Sequence, residues 1–212
     1  MASSRIAKRR ASAKADSSKH YQTRRAAVVK AAAGVFREKG FEGASLDEIG
    51  AAAGVDRASL YYYVGNKKEL FDEVVLEALT SNLKLAERIK AESGGAVDKL
   101  DRLIKAWMVS YGEFYPYFYI FLQESKFAAS DKDEIDLLGM SREFDSAVIE
   151  IIQEGIEAGE IRDDIPPRVA AYAVMGMVNW THRWFNPDGP IGADEVGRAF
   201  AGVALDGLRS VS

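Results

Sequence analysis

Ser45-Leu46-Asp47-Glu48-Ile49-Gly50-Ala51-Ala52-Ala53-Gly54-Val55-Asp56-Arg57-Ala58-Ser59-Leu60-Tyr61-Tyr62-Tyr63-Val64 contains two helix starts separated by a turn. Ser45 and Glu48 have the spacing of a capping box, in which each side chain satisfies a free N–H of the first turn. A short helix is expected from there to Ala52, burying Leu46 and Ile49. Ala53-Gly54-Val55 reads as a tight turn, because glycine adopts a left-handed conformation that other residues resist. Asp56 then caps a second short helix through about Tyr62, with Val55 and Leu60 turned to the core. This is the pattern of a helix-turn-helix, whose second helix enters the DNA major groove. Arg57, Ala58, Ser59 and Tyr62 fall on the outer face. Arg57 has the donors for a guanine edge, and Ala58 or Ser59 suits a thymine methyl or a base edge. Ser45, Tyr61, Tyr62 and the Lys67-Lys68 pair suit phosphate oxygens, which position without reading sequence.

Upstream, Val28, Ala32, Val35 and Phe36 recur at helical spacing from about Thr23, with Gly40 placed to stop the helix. Downstream, Asn66 and Glu69 make a second capping-box pattern before a longer helix through Leu70, Val74 and Leu83. Gly94-Gly95 breaks that helix and is a candidate domain joint. Further helices are expected near 97–114, 116–127, 134–158, 167–185 and 193–209, with Pro116 kinking or restarting one. Gly159, Pro166-Pro167 and Asn186-Pro187-Asp188-Gly189-Pro190 punctuate them. No window alternates as a strand and hairpin would, so the fold class is all-α.

The 212-residue chain has 48% hydrophobic and 28% charged residues, enough for a core and a solvated surface. Its net charge of −4 is unevenly spread: residues 1–30 carry nine Lys and Arg against Asp16 alone, a net +8, which leaves −12 for the rest. A basic end on an acidic body favours a polyanionic partner at one end. Residues 1–20 have little to bury and are expected to be a disordered basic arm. No apolar run reaches the roughly 18 residues of a membrane span, and none follows the basic start as a secretory signal would. With no cysteine there is no disulfide, thiolate metal site or thiol nucleophile. The two histidines, His20 and His182, have no metal-ligand spacing, and neither a Gly-x-Ser-x-Gly elbow nor a phosphate loop is present. Asp163-Asp164 reads as a solvated turn. A cytoplasmic binding protein without cofactor or metal is expected, rather than an enzyme.

The run Phe41-Glu42-Gly43-Ala44-Ser45-Leu46-Asp47-Glu48-Ile49, continuing through Gly54–Val64 to Asn66-Lys67-Lys68-Glu69-Leu70, resembles the signature of the tetracycline-repressor (TetR) family. The shared features are an aromatic lead-in, a Ser-led second helix, Leu60-Tyr61-Tyr62-Tyr63-Val64, and Lys67-Lys68-Glu69-Leu70. The resemblance covers about residues 23–75 and departs at Tyr62-Tyr63, where many members carry a histidine. It implies a three-helix DNA-binding domain over 21–65 and a larger helical ligand-binding and dimerisation domain over 66–212. It further implies a homodimer on a palindromic double-stranded operator, released by a small-molecule inducer. The last helix fits dimer packing, with Val196, Phe200, Val203 and Leu208 set among Gly197, Ala199, Ala201, Gly202 and Ala204.

Residues 107–127 hold Trp107, Tyr111, Phe114, Tyr115, Tyr117, Phe118, Tyr119, Phe121 and Phe127, in a chain that is 10% aromatic overall. Such a cluster suits either the wall of an apolar ligand pocket or plain core. Trp107, Tyr111, Phe114, Phe121, Phe144 and Met177 are the candidate lining, with Met140 and Met175 able to share the volume. Trp180, Arg183 and Trp184 lie at i, i+3 and i+4 and so share one helix face, placing a guanidinium between two indoles for an anionic head group. The run Gly176–Pro190 resembles the corresponding helix of TetR-type sensors of acyl-coenzyme A thioesters. The other reading gives Arg183 an acidic partner and makes the tryptophans dimer anchors. Two further functional readings stand beside an acyl-coenzyme A sensor. One is a constitutive DNA-binding dimer with no inducer, and the other is a multidrug-type sensor of aromatic ligands.

Overall fold

The computed structural model describes residues 19–115, 117–124 and 136–210. The expected arm therefore falls outside the described residues apart from its last two positions, as do Pro116 and Phe127. Among the described residues the chain is helical, with one isolated bridge between Ile161 and Arg209. The elements are α1 Lys19–Gly43, α2 Leu46–Ala53, α3 Arg57–Tyr63, α4 Lys67–Ala91 and α5 Ala96–Glu113. They continue with α6 Tyr117–Glu124, α7 Leu137–Glu157, α8 Pro167–Asn179, a 3₁₀ turn Trp180–Arg183, and α9 Ala193–Leu208. No helix among the described residues is long and apolar enough to cross a membrane.

Two compact units divide the chain: residues 1–77 with 119–135, and residues 78–118 with 136–212. The division falls inside α4, between the 65/66 boundary expected from the family and the Gly94-Gly95 break. Its physical reason is that Leu70, Phe71, Val74 and Val75 are buried in the first unit's core.

That core forms around α1. Val28, Ala32, Ala33 and Phe36 line one face and are buried. Gly40, expected as a stop, leaves the helical conformation at φ 70° and ψ 173° and kinks the element, which continues to Gly43. The kink returns Phe41 to Phe36, with ring centroids 5.8 Å apart, and both rings meet Phe71 of α4 at 5.3 and 6.0 Å. Such edge-on aromatic pairs add about 0.5–1.5 kcal/mol beyond area burial. Arg25 of α1 and Glu73 of α4 close an ion pair across the same seam.

The turn between α2 and α3 depends on two glycines. Gly54 has φ 67° and ψ 33°, its N–H donates to Ala51 O, and the Val55 N–H donates to Gly50 O at 2.9 Å. This pair of hydrogen bonds is the Schellman stop of a helix. A Cβ on Gly50 would sit 3.1 Å from Val55 O and 3.7 Å from Leu60, so the glycine lets α3 close onto α2. Ile49 and Leu60, both fully buried, fill the space between them, while Leu46 and Val55 are half-buried.

In the second unit α5 is amphipathic, burying Leu100, Leu103, Ile104, Trp107, Met108 and Tyr111. A Cβ on Gly197 of α9 would lie 3.1 Å from the Lys105 Cα and 3.2 Å from Met108, so these helices approach almost backbone to backbone. Gly155 plays the same part for α7, where a Cβ would meet Ala96 at 2.7 Å and Ile161 at 2.6 Å.

The expected helix over 167–185 ends at Asn179. Thr181 Oγ1 donates to Val178 O at 2.5 Å and His182 Nδ1 lies 2.7 Å from Asn179 O. Polar side chains that bind nearby backbone groups compete with helix continuation. The chain tightens to a 3₁₀ turn and leaves it at Trp184, whose φ is −138°. Trp180, Arg183 and Trp184 therefore do not share the regular helical face expected of them.

A Cβ at position 54 would meet nothing within 4 Å, so Gly54→Ala carries a backbone cost alone. That substitution should lower unfolding stability by about 1–2 kcal/mol. Gly54→Asn should lose visibly less, because asparagine visits left-handed conformations. Urea titrations followed by circular dichroism test the order.

Candidate nucleic-acid interface

The N-terminus of α2 is built as expected. The Ser45 hydroxyl accepts from the Glu48 N–H at 3.3 Å, and the Ser45 N–H donates to the Glu48 carboxylate at 3.0 Å. The Ser45 hydroxyl also donates to that carboxylate at 2.8 Å, so the side chain proposed for phosphate is exposed but engaged in its own cap. The Lys39 ammonium, first, and then the Ser45 hydroxyl and N–H hold the Glu48 carboxyl down to about 2.

Helix α3 starts at Asp56, whose carboxylate accepts from the Ser59 N–H at 2.8 Å and the Ser59 hydroxyl at 2.9 Å. Those two bonds, the N–H first, lower the Asp56 pKa. Ser59, expected to meet base edges, is half-buried with its hydroxyl turned into the cap. Arg57 and Ala58 are exposed on the first turn. Arg57 Nη1 donates to Asp47 of α2 at 2.7 Å, and its guanidinium carbon lies 6.0 Å from the Tyr61 ring centre. Both charges of that pair are more than half exposed. An exposed pair of this kind is worth at most about 1 kcal/mol, so the guanidinium is free to exchange its partner. Sequence reading missed Asp47 as the partner of Arg57. The two lie on different helices, and only the turn brings them together.

Tyr61 and Tyr62 are half-buried. Tyr62 meets Tyr21 of α1 edge-on at 5.6 Å and Tyr63 at 5.3 Å, which anchors α3 to α1.

The two lysines at the start of α4 differ from expectation. Lys67 Nζ donates to the carbonyls of Ala44 and Glu42 at 3.0 and 3.3 Å and sits 4.6 Å from the Phe41 ring centre. Lys68 Nζ donates to both oxygens of Asp72, at 2.5 and 2.7 Å. Both ammonium groups are thus committed inside the unit. The second capping box is also modified: Asn66 caps the Glu69 N–H at 2.8 Å, but Glu69 accepts from Gly65, one residue before the cap, at 3.2 Å.

The candidate ligand residues belong to both units. Trp107 and Phe144 are buried with ring centroids 4.5 Å apart, and Tyr111 is buried against Phe118 and Phe185 at 5.7 and 6.2 Å. Phe114 and Met177 are half-buried in the same unit, whereas Phe121 is buried in the first unit. Trp180 and Trp184 are 58% and 50% exposed. Arg183 is exposed with its guanidinium carbon 5.0 Å from the Trp180 ring centre, and has no carboxylate partner among the described residues. Met177 lines a cavity of about 270 Å³ with Ala170, Ala173, Val203, Gly207 and Leu208, on α8 and α9. Among the described residues no group of three or more His, Asp or Glu side chains is placed to hold a metal ion.

Two family matches cover most of the chain. Residues 28–74 match the bacterial regulatory proteins of the tetR family, and residues 93–208 match the tetracyclin repressor-like C-terminal domain. The chain belongs to the TetR family of transcriptional regulators. It is 25% identical over 188 residues to the HTH-type transcriptional repressor KstR2 of Mycolicibacterium smegmatis, covering 88% of this chain and 91% of that protein. The TetR family regulator PfmR from Thermus thermophilus superposes with a TM-score of 0.77 at 32% identity, covering 86% of this chain and 98% of that one. AibR, solved in complex with isovaleryl coenzyme A and operator DNA, shares the fold with a TM-score of 0.74 at 21% identity, covering 85% and 97%.

Two consequences follow for the first unit. A carboxylate with a lowered pKa stabilises the fold above its ordinary value of 4.5, and that contribution disappears as pH falls toward about 2. Glu48→Gln should therefore melt lower than the parent protein near neutral pH, and the gap should close on acidification, as read by thermal melts across that range. Lys67→Ala should cost about 1–2 kcal/mol of stability through the lost carbonyl bonds. Its DNA-binding salt slope should stay at the parent value, where a phosphate clamp would lower it by about one.

Proposed function

We propose that this TetR-family regulator is a homodimeric repressor that holds a palindromic operator through α3 and is released by a small amphipathic ligand. The observation that carries this reading is the outer face of α3. Arg57 and Ala58 stand exposed on its first turn, on a helix anchored by Leu60 beneath and by the tyrosines beside it. In this reading Arg57 leaves Asp47 for a guanine edge, Ala58 touches a thymine methyl, and Tyr61 and Tyr62 approach phosphates, with Ser45 at the rim. Ser59 serves chiefly as part of the cap. One short helix offers few base contacts, so two copies about 34–36 Å apart are needed for a specific site.

The dimer face we assign to α8 and α9. Val169, Tyr172 and Trp180 on or just after α8, and Val203 on α9 at 68% exposure, are large apolar side chains at the surface. Scattered apolar residues are ordinary, but a group on two successive elements supports an interface. Trp180 and Trp184 belong to this face as anchors, with Arg183 over Trp180. The repressor role is supported by the similarity to the repressor KstR2, and the ligand class by AibR, which is seen with isovaleryl coenzyme A and operator DNA. The protein acts in the cytoplasm by binding and not by catalysis.

Fluorescence anisotropy on duplexes from the neighbouring intergenic region tests the reading. A duplex bound no more tightly than random DNA would overturn it. Arg57→Ala should weaken the specific duplex by about 1–3 kcal/mol and leave random DNA nearly unchanged.

A further inference from the structure

We propose that a groove formed by α4, α5 and the start of α9 binds an amphipathic anion, with its head group between Lys84, Arg88 and Lys105 and its apolar body on Leu85, Ala106 and Val109. This inference rests on the ligand-released reading above and assigns the ligand a place. The groove has a volume of about 920 Å³ and lies wholly within the second unit. That is the size range of small-molecule sites, roughly 300–1,000 Å³.

Its charges are unevenly satisfied. Arg102 is paired with Glu92, Arg198 is paired with Asp194 at 2.8 Å, and Glu113 adds a third carboxylate to the lining, against five Lys and Arg side chains. Lys105 is paired with Asp101 at 2.6 Å but is 42% exposed. Arg88 reaches its carboxylate, Glu92, only at 3.9 Å, and Lys84 has no acidic partner among the described residues. Lys84 and Arg88 stand four residues apart on one face of α4, which places two under-neutralised cations side by side.

The floor is of the opposite character. Val109 is 37% exposed although it lies on the otherwise well-packed α5, and Leu85 and Ala106 are half-buried beside it. Ser110, also in the lining, donates to Asn82 Oδ1 at 2.6 Å, and the Asn82 amide nitrogen is buried with no acceptor. Cations over an apolar floor select a molecule with a carboxylate or phosphate head on a hydrocarbon body. They reject the neutral and cationic counterparts.

Isothermal titration calorimetry of the full chain with dodecanoate and with dodecyl phosphate tests this, with dodecanol and dodecyltrimethylammonium as controls. One or both anions should bind, and the one that binds more tightly identifies the head group. Both controls should bind at least about tenfold more weakly. Lys84→Ala/Arg88→Ala should weaken the anion about tenfold or more, as expected for losing charge-assisted hydrogen bonds. Val109→Glu, at an exposed position, should do the same by repulsion, and circular dichroism checks that both variants fold. No binding of either anion, or binding that these variants leave unchanged, overturns the assignment. Operator release is read separately by anisotropy. If dodecanoate binds in a groove-dependent way but leaves DNA binding untouched, the groove stands and ligand release falls. If another compound releases DNA equally from parent and double variant while neither anion binds, the groove falls and ligand release stands.

Discussion

The close return of the chain at residues 50–60 governs what the first unit is able to do. Helix α3 presents Arg57 and Ala58 only because Gly54 turns left-handed and Gly50 has no side chain where Val55 O and Leu60 must approach. Leu60, fully buried, then fixes the rotation of α3 about its own axis. A helix of seven residues has too few hydrogen bonds to be stable alone. Its position is therefore decided by this contact, by the Asp56 cap at one end, and by the tyrosines packed on α1 at the other.

Charge in this unit serves structure as much as recognition. The strongly basic beginning of the sequence reads as a polyanion-seeking end. Among the described residues, however, Arg25 is paired with Glu73, Lys39 with Glu48, Lys67 with two carbonyls and Lys68 with Asp72. The first three join α1 to α4, α1 to α2, and the end of α1 to the start of α4, seams at which the helices would otherwise splay, whereas Lys68–Asp72 lies within α4. Arg57 has the most exposed partner of these cations. Its pair with Asp47 is solvent-exposed on both sides, so breaking it strands no buried charge.

The second unit follows a different rule, in which small residues let large ones be buried. Gly197 brings α9 against the backbone of α5, and Gly155 brings α7 against Ala96 and Ile161. With the backbones that close, Trp107, Met108 and Tyr111 are sealed inside. Apolar and cationic side chains are left outside on α8 and α9 and along the groove on α4 and α5, the surfaces we propose for the dimer partner and the ligand.

How much of the fold is legible in the sequence varies with the range of the interaction. Local chemistry was readable: the Ser45–Glu48 box, the Asp56 cap, the stops at Gly40 and Gly54, and most helix limits depend on residues within four or five positions. The same local signals carried the family resemblance and hence the all-α class. Hydroxyl and ammonium roles were not readable, since Ser59 and Lys67 find partners that only the fold selects. The aromatic run from Trp107 is divided between the two units, and the tryptophans after α8 emerge at the surface because Thr181 and His182 tighten the chain there. The sequence by itself thus determined where helices start, stop and turn, because capping and backbone conformation act over a single turn. Which side chains remain available to DNA, partner or ligand was decided by tertiary structure alone, because burial and ion pairing join residues 10 to 60 positions apart.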